Sequence, residues 1–279
     1  MAFTLHEKES LSWVTSDVLP VQHVFTRRLG DVGDFPYSSR PDPEWERPER
    51  QEKVRRVWNT LIRAADFPPE GFCFTHQVHD TVIRYVTEAD QCVPPLPVCP
   101  EDCDGLITDR PGVPLCIFTA DCVPVLLCDT AAGVVCAVHS GWKGTVKDMM
   151  GAAVRKMTAM GAQTENIRAA IGPAVSGCCF EVGAEVREAI EALLGADAEG
   201  LCPPEEGVPG KFMADIKETN RRRLLQLGVA AEHIDVSPDC TMCLRDVYWS
   251  HRATKGVRGT QASVIRLPLA AEQTEDNRG

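Results

Sequence analysis

The sequence predicts an α+β fold in which a mixed β-sheet core is flanked by helices. Three short apolar runs rich in β-branched residues occupy the middle of the chain, and segments with helical apolar periodicity follow them. Strands and helices do not alternate strictly, which favours a mixed sheet over a barrel. The 279 residues are enough for one large core, so we predict a single domain over 1–279.

The three apolar runs predict buried strands at 115–120, 123–128 and 134–138. The sequence Thr-Ala-Ala-Gly at 130–133 is typical of a turn and would join the second strand to the third. We expect these strands to form the core, because they are the densest apolar part of the chain.

A first helix is predicted after the strands, because apolar residues recur at steps of three and four from Val146 to Met160. It would begin near Thr145, and Gly161 is placed to end it. The methionines of this stripe are therefore expected in the core rather than as ligands of a cofactor.

Two further helices are predicted at 181–194 and 215–227. The second of these has a capping-box pattern, since Glu218 follows Asp215 by three positions, and Gly228 would end it.

Three segments lack periodicity. Residues 34–53 are rich in Pro, Arg and Glu and predict an irregular surface segment. Residues 91–103 hold four prolines and three cysteines and predict a loop. The polar segment 271–279 predicts a flexible tail.

Composition narrows the partners and the compartment. The net charge of −11 argues against nonspecific nucleic-acid binding, and no apolar run approaches the length of a membrane span. The N-terminal residues lack a signal-peptide pattern, so we expect a cytoplasmic protein without membrane association. Its thirteen cysteines are then expected to be reduced thiols rather than a disulfide framework.

Cys122 and His139 are the strongest candidates for a site. His139 ends a predicted strand and Cys122 lies between two, and functional residues are commonly built at strand ends. Imidazole and thiolate bind Zn²⁺, and three protein ligands leave the open fourth position of a catalytic zinc. His76 and His79 lie on an extended segment three positions apart, so only one of them is expected to reach the metal.

A basic segment offers an anion site. Lys143 lies between two glycines just before the predicted helix, where backbone N–H groups and the helix dipole favour phosphate. Arg27 and Arg28 would add positive charge.

Other polar motifs are given structural roles. Asp104 is interpreted as a turn residue or as a partner that orients a histidine. Cys240 and Cys243 have zinc-type spacing, but no second such pair is present, so two structural thiols are expected. The adjacent Cys178 and Cys179 are expected to diverge, which would prevent them from sharing a metal.

Six ordered motifs between about Val24 and Leu267 resemble the YfiH or laccase-domain family. They are Thr-His-Gln-Val-His (75–79), Asp-Cys-Asp-Gly-Leu-Ile-Thr (102–108), Thr-Ala-Asp-Cys-Val-Pro-Val-Leu (119–126), His-Ser-Gly-Trp-Lys-Gly (139–144), Ile-Gly-Pro-Ala-Val-Ser-Gly-Cys-Cys-Phe-Glu-Val-Gly (171–183) and Asp-Cys-Thr (239–241). Members of this family were labelled polyphenol oxidases and have since been associated with purine nucleoside phosphorylase and adenosine deaminase activity.

The resemblance implies a YfiH-like fold of the cysteine-hydrolase type. It implies that His79, Cys122 and His139 are the zinc ligands and the catalytic centre. Arg28 matches a family arginine and Lys143 replaces another, so both are expected to contact substrate.

We therefore predict a zinc-dependent purine nucleoside enzyme, with a purine nucleoside and phosphate as its partners. Phosphorolysis of inosine-type or adenosine-type nucleosides, adenosine deamination, or both would be its reaction. The zinc would position groups for phosphorolysis or activate a water for deamination.

Three alternatives stay open. One is a cysteine hydrolase that edits cell-wall precursors, with Cys122 as nucleophile and His139 as base. Another is a copper-dependent polyphenol oxidase, since Cu²⁺ would bind the same donors, although the seven histidines include no His-x-His pair. The third is a non-enzymatic zinc-stabilised binding protein, with His76 or Cys103 as a fourth ligand.

Overall fold

The computed structural model describes residues 2–28, 46–69, 71–92 and 101–269. The predictions for 34–45, 93–100 and 271–279 fall outside the described residues. The helices in the described part are α1 (Pro48–Ala65), α2 (Trp142–Val146), α3 (Met149–Ala159), α4 (Ala184–Leu194) and α5 (Ile216–Gln226). None of these helices combines the length and the apolar character needed to cross a membrane.

The strands fall into two six-stranded sheets and one short ribbon. In chain order they are β1 (Phe3–Lys8), β2 (Leu11–Ser16), β3 (Gln22–Thr26), β4 (Cys73–Phe74), β5 (Ile83–Tyr85), β6 (Gly105–Thr108), β7 (Leu115–Thr119), β8 (Val123–Asp129), β9 (Val134–Ser140), β10 (Arg168–Ile171), β11 (Glu181–Val182), β12 (Phe212–Met213), β13 (Ile234–Val236) and β14 (Gln261–Arg266). The first sheet has the order β1-β2-β3-β14-β7-β4, and the second has the order β13-β10-β8-β9-β6-β5. Both sheets mix parallel and antiparallel pairs, so the predicted α+β class is confirmed.

The second sheet is buried on both faces. In β8, Leu126 and Cys128 face the core shared with the first sheet, while Val125 and Leu127 belong to the core under α3, α4 and α5. Alternate residues thus enter two different apolar cores, because successive strand side chains point to opposite faces. This double burial explains the continuous apolar runs of β8 and β9. The third predicted strand is β7 of the first sheet, whose residues are also all buried, so all three predicted strands are confirmed.

The helix predicted from Thr145 to Met160 is present as α3 and ends before Gly161, but its predicted start is wrong, because α2 and α3 meet there. Asp148 adopts a left-handed conformation with φ 72° and separates α2 from α3. Its carboxylate accepts a hydrogen bond from the Gly151 N–H at 3.0 Å, which caps α3. The same carboxylate binds the Arg223 guanidinium of α5 at 2.8 and 3.0 Å. Apolar periodicity runs through this break unchanged and does not reveal it.

The other two predicted helices are present, with one corrected start. Residues 181–182 form β11 instead of a first helical turn, and α4 begins after Gly183. Asp215 caps α5 by accepting the Glu218 N–H at 2.9 Å, as the capping pattern predicts. Gly228 follows α5 with φ 91°.

The irregular segment predicted at 34–53 is wrong in its second half, because α1 begins at Pro48. Proline is favourable in the first helical turn, where its missing N–H would have no partner. The buried side chain of Trp58 then packs against Phe72 and Phe74 at ring-centroid distances of 5.0 and 5.2 Å. This aromatic packing stabilises a helix whose first turn is polar apart from Pro48.

Candidate metal and active site

One cluster brings together the three residues expected to bind metal. The donor atoms of His79, Cys122 and His139 all lie within 4.8 Å of one another, with 3.9 Å between Cys122 Sγ and His79 Nε2. The two imidazole rings are nearly perpendicular, at 84°. His76 lies outside this cluster, and its Nδ1 is 2.7 Å from an Asp102 carboxylate oxygen.

The β8–β9 hairpin explains how residues distant in sequence become neighbours. The two strands pair in register, with Val123 opposite Ser140 and Pro124 opposite His139. Cys122 immediately precedes β8, so the thiol and the His139 imidazole meet at the same end of the hairpin. The short turn at 130–133 therefore sets the distance between the two donors.

Asp104 organises both histidines. Its buried carboxylate accepts hydrogen bonds from the N–H groups of Val78, His79 and Asp80, at 2.9 to 3.0 Å. It also lies 2.7 Å from His139 Nδ1, which leaves Nε2 of that ring for the cluster. His79 has φ 63°, a left-handed conformation stabilised by these hydrogen bonds. Of the two roles considered for Asp104, the structure shows the orienting one.

Asp121 is a residue that sequence reasoning missed. It is buried with φ 83°, directly before Cys122. Its carboxylate accepts hydrogen bonds from Thr241 Oγ1 at 2.6 Å, Ser250 Oγ at 3.0 Å and the Arg252 N–H at 2.6 Å. These donors lie more than a hundred residues downstream, so they tie the Cys122 turn to the C-terminal part of the chain. In the local sequence, its position next to Cys122 is the feature that could indicate this role.

Electrostatics favour a charged pair when no metal is bound. Burial would raise the pKa of Cys122, but His139 and His79 outweigh it and lower that pKa to about 6. Burial would lower the pKa of His139, but the Cys122 thiolate and Asp104 outweigh it and raise that pKa to about 9. The metal-free site is therefore a thiolate–imidazolium pair between these two pKa values.

We predict that iodoacetamide alkylates Cys122 in metal-free protein with a rate that inflects near pH 6, as its lowered pKa implies. The thiolate is the nucleophile, so the rate should be nearly constant above this inflection and fall as acid protonates the sulfur. Peptide mapping would assign the modified residue. Burial raises the pKa of the half-buried Cys202 to about 11, so this thiol is the internal control and should react slowly at neutral pH. An inflection near the ordinary value of 9.0 would contradict the charged pair.

The donor set and the space around it fit a metal ion. Two imidazoles and one thiolate are ligands that Zn²⁺ accepts, and they leave one coordination position. Gly141 keeps this space open, because a Cβ there would lie 3.0 Å from Cys122 Sγ and 3.1 Å from His79 Cδ2.

Gly141→Ala should therefore weaken metal binding, by about 10-fold or more, because the added methyl would displace ligand side chains. Competition with a chelator would measure the zinc affinity. Gly144→Ala is the matched control, since its Cβ would meet nothing nearer than the Asp80 carbonyl oxygen at 3.4 Å. Equal zinc affinities in the two variants would show that zinc binding does not require the absence of a side chain at position 141.

The cluster opens into a cavity of about 1130 Å³. His79 and Cys122 line it, together with the aromatic rings of Trp142 and Phe180. Arg252 lies over the Phe180 ring, 4.8 Å from its centroid. The lysines and arginines that line the cavity are Lys143, Lys211, Arg252, Lys255 and Arg258. The carboxylates of Asp121, Glu181 and Glu185 also line the cavity, and Lys211 pairs with Glu181 at 3.2 Å. The cations outnumber these carboxylates, so the cavity is suited to an anion although the chain has a strongly negative net charge.

The two residues expected to contact substrate lie in different places. Lys143 lines the cavity and lies within α2, with its Nζ 5.8 Å from the centroid of the Trp142 ring. Its predicted position just before the helix is therefore corrected. Arg28 lies outside the cavity lining, where its guanidinium stacks over Trp249 at 3.8 Å and donates to the Arg245 carbonyl at 2.8 Å.

Comparison with known proteins places these features in a family. The family model described as multi-copper polyphenol oxidoreductase laccase matches residues 22–268. The purine nucleoside phosphorylase YlmD of Geobacillus stearothermophilus is 36% identical over 215 residues, 75% of this chain and 78% of that protein. A purine nucleoside phosphorylase of Corynebacterium glutamicum is 34% identical over 254 residues, 90% of this chain and 96% of that protein.

The fold is shared as well. The crystal structure of the Bacillus licheniformis hypothetical protein YfiH matches with a TM-score of 0.81 at 26% identity, covering 94% of this chain and 98% of that one. The resemblance that the six motifs suggest is thus confirmed over nearly the whole sequence. The chain belongs to the YfiH or laccase-domain family, and several of the relatives it matches are named purine nucleoside phosphorylases.

Proposed function

We propose that this protein is a zinc-dependent purine nucleoside phosphorylase, with Zn²⁺ bound by His79, Cys122 and His139. The observation that carries the proposal is the three-donor cluster at the wall of a cavity lined by cations and aromatic rings. The names of the relatives support the same reaction class.

The cavity offers a separate contact for each part of the reaction. Trp142 and Phe180 line the cavity, and an aromatic side chain there would stack on a bound purine. The lining cations bind phosphate and hold it for attack at the ribose C1′, from which the purine leaves with the bonding electron pair. Bound Zn²⁺ supplies a Lewis acid for the charge that develops on the substrate.

Lys143 is the phosphate contact nearest in sequence to the metal ligands. Lys143→Ala should raise KM for phosphate by about 10-fold, the equivalent of one charge-assisted hydrogen bond. Initial rates at varied phosphate would measure this change. Lys147→Ala is the matched control, because Lys147 pairs with the half-exposed Asp80 at 3.1 Å and does not line the cavity. A phosphate KM that is equal in both variants would remove Lys143 from the phosphate site.

A cysteine hydrolase is the second candidate, and one observation favours it. Cys122, His139 and Asp104 form a chain of thiol, imidazole and carboxylate, with the carboxylate 2.7 Å from the ring. This arrangement suits a nucleophile, its base and the group that orients the base. A trapped acyl-enzyme on Cys122 in metal-free protein would establish it.

The remaining alternatives have less support from the geometry. A closed four-ligand site would need His76 or Cys103, and neither belongs to the cluster. A multicopper oxidase needs several histidine-rich centres, whereas the described residues contain one cluster with two histidines. Adenosine deamination uses the same open metal position, so the assay has to measure it directly.

The deciding experiment is turnover of inosine and adenosine, with and without phosphate, on protein of measured metal content. We expect hypoxanthine release from inosine that requires both phosphate and zinc. Conversion of adenosine to inosine without phosphate would assign deamination instead. Stoichiometric zinc with no turnover of either nucleoside would sink the purine proposal.

A further inference from the structure

A second group of metal donors lies apart from the active-site cluster. The sulfurs of Cys178, Cys179, Cys240 and Cys243 all lie within 4.8 Å of one another. The expectation that Cys178 and Cys179 diverge is wrong, because their sulfurs are 3.7 Å apart. The sequence shows no second Cys-x-x-Cys pair to complete a zinc site with Cys240 and Cys243. The structure supplies two further thiols from the adjacent Cys178 and Cys179, about sixty residues upstream in the chain.

The sulfur separations match tetrahedral coordination by four thiolates. Cys243 Sγ lies 3.6 Å from Cys178 Sγ and 3.4 Å from Cys179 Sγ. Zn–S bonds of about 2.3 Å in a tetrahedron place sulfurs about 3.8 Å apart. A disulfide would need about 2.0 Å, and all four cysteines are free thiols.

Backbone N–H groups stabilise one of the sulfurs. The Ser176 N–H donates to Cys240 Sγ at 3.4 Å. The N–H groups of Met242 and Cys243 also interact favourably with the Cys240 thiolate. A Cys-x-x-Cys turn whose amides point at its first sulfur is preorganised for a thiolate ligand.

A buried cation lies beside the cluster. The Lys217 ammonium donates to the carbonyl oxygens of Ser237 and Asp239 at 2.7 and 3.0 Å. It also interacts electrostatically with Cys240 and Cys178. Four thiolates around a divalent ion leave net negative charge, and a buried ammonium next to them offsets it.

We propose that these four cysteines bind a structural Zn²⁺, distinct from the metal at His79, Cys122 and His139. Four thiolates close the coordination shell, so the site has no position for substrate and its role is structural. Binding replaces the thiol protons, which pass to solvent, and no electrons are transferred.

The position of the cluster gives this metal a defined task. It joins the segment that begins at β10 and leads to Phe180 with the segment that begins at Cys240 and leads to Arg252. Both of these residues line the cavity. Thr241, inside the Cys-x-x-Cys turn, donates to Asp121 at 2.6 Å and so reaches the residue before Cys122. The ion would therefore fasten two walls of the cavity and the turn that carries an active-site ligand.

Metal counting on four variants tests the proposal independently of catalysis. Protein prepared anaerobically with reductant and zinc would be analysed by native mass spectrometry and elemental analysis. We expect about two zinc ions per wild-type chain and about one in Cys122→Ala. Cys243→Ser should likewise retain about one, and Cys122→Ala/Cys243→Ser should bind none. Cys202→Ser is the matched control, because Cys202 is partly buried outside both clusters, and it should bind as many ions as the wild type.

Cobalt provides a spectroscopic readout of the four-cysteine cluster in a variant where that cluster is intact. Co²⁺ added to Cys122→Ala should give the intense thiolate charge-transfer absorption of four sulfur ligands, and Cys243→Ser in the same background should remove it. Absence of that absorption, or a Cys122→Ala variant that binds no zinc, would overturn the proposal. A disulfide within the cluster in protein prepared under reductant would overturn it as well. Loss of activity alone would bear on the phosphorylase proposal and not on this one.

Discussion

Cys122→Ala should lower kcat/KM for nucleoside phosphorolysis by about 10³-fold or more, because it removes the thiolate from the proposed zinc ligands His79, Cys122 and His139. Two imidazoles remain in the cluster, and His139 loses the thiolate that raises its pKa. Zinc bound at this site should be lost together with the activity. The measurement is phosphate-dependent hypoxanthine release, normalised to the zinc content of each preparation.

The matched control is Cys136→Ala, on the same strand as His139. Cys136 is fully buried, and burial raises its pKa to about 12, so it is a packing residue without a reactive thiolate. Its substitution should cost about 1 kcal/mol of stability and leave kcat/KM unchanged. A folded, metal-free Cys122→Ala protein with full activity would contradict the assignment of the metal. Equal loss in both variants would trace the effect to packing.

Asp104→Asn should weaken zinc binding by about 10- to 100-fold and destabilise the fold. The neutral amide can no longer accept all of the hydrogen bonds that the three backbone N–H groups and His139 now make. Unsatisfied buried donors cost about 1–3 kcal/mol each, so the loss of stability should be several kcal/mol. Thermal unfolding of metal-free protein and zinc competition would measure the two effects separately.

The pH dependence gives Asp104→Asn a second readout. Burial raises the pKa of Asp104, but His139 and the backbone N–H groups outweigh it and hold this pKa below its ordinary value of 3.8. When a carboxylate has a lower pKa in the folded state than in the unfolded state, it stabilises the fold at pH values above its unfolded-state pKa. This stabilisation is lost as the pH falls through the folded-state pKa. The stability difference between wild type and variant should therefore be large at neutral pH and shrink in acid.

Asp129→Asn is the matched control for this experiment. Asp129 is also a buried carboxylate, and it accepts the N–H groups of Ala131, Ala132 and Gln163 at 2.9 to 3.0 Å, away from the cluster. Its substitution should lower stability without changing zinc affinity.

In Asp104→Asn the pH at which the alkylation rate of Cys122 inflects should also rise above about 6, because His139 becomes less cationic. The same inflection in both variants would make the role of Asp104 purely structural.

Local pattern sufficed for the central strands and for α5, and residue type marked Cys122 and His139 as candidate ligands, which the structure brings together. Strands buried on both faces are apolar without interruption, and a capping residue acts within one turn, so both leave their signal in adjacent positions. Imidazole and thiolate are recognisable by type alone. The choice of His79 over His76 came from the motif that the family shares, and the geometry agrees with it because Asp104 binds the backbone around His79.

Long-range hydrogen bonds decided what local pattern could not. Asp121 receives its donors from residues 120 or more positions away, and nothing near it in the sequence distinguishes it from a turn residue. Asp148 breaks a helix that periodicity continues, because a left-handed backbone and an ion pair to Arg223 are tertiary features. α1 packs through Trp58 against Phe72 and Phe74, which are distant contacts that the charged residues at its beginning do not reveal.

By itself the sequence determined the α+β class, the family and the donor types of the candidate metal ligands, because motifs, periodicity and donor type can be read from adjacent positions. The tertiary structure alone decided how those residues are oriented and which distant ones share a site. The four thiols illustrate this difference: Cys178 and Cys179 were expected to diverge, and the chain turn after β10 brings both to Cys243 within 3.6 Å. Segments about sixty residues apart come together through strand pairing and loop packing, and the local sequence pattern does not predict these contacts.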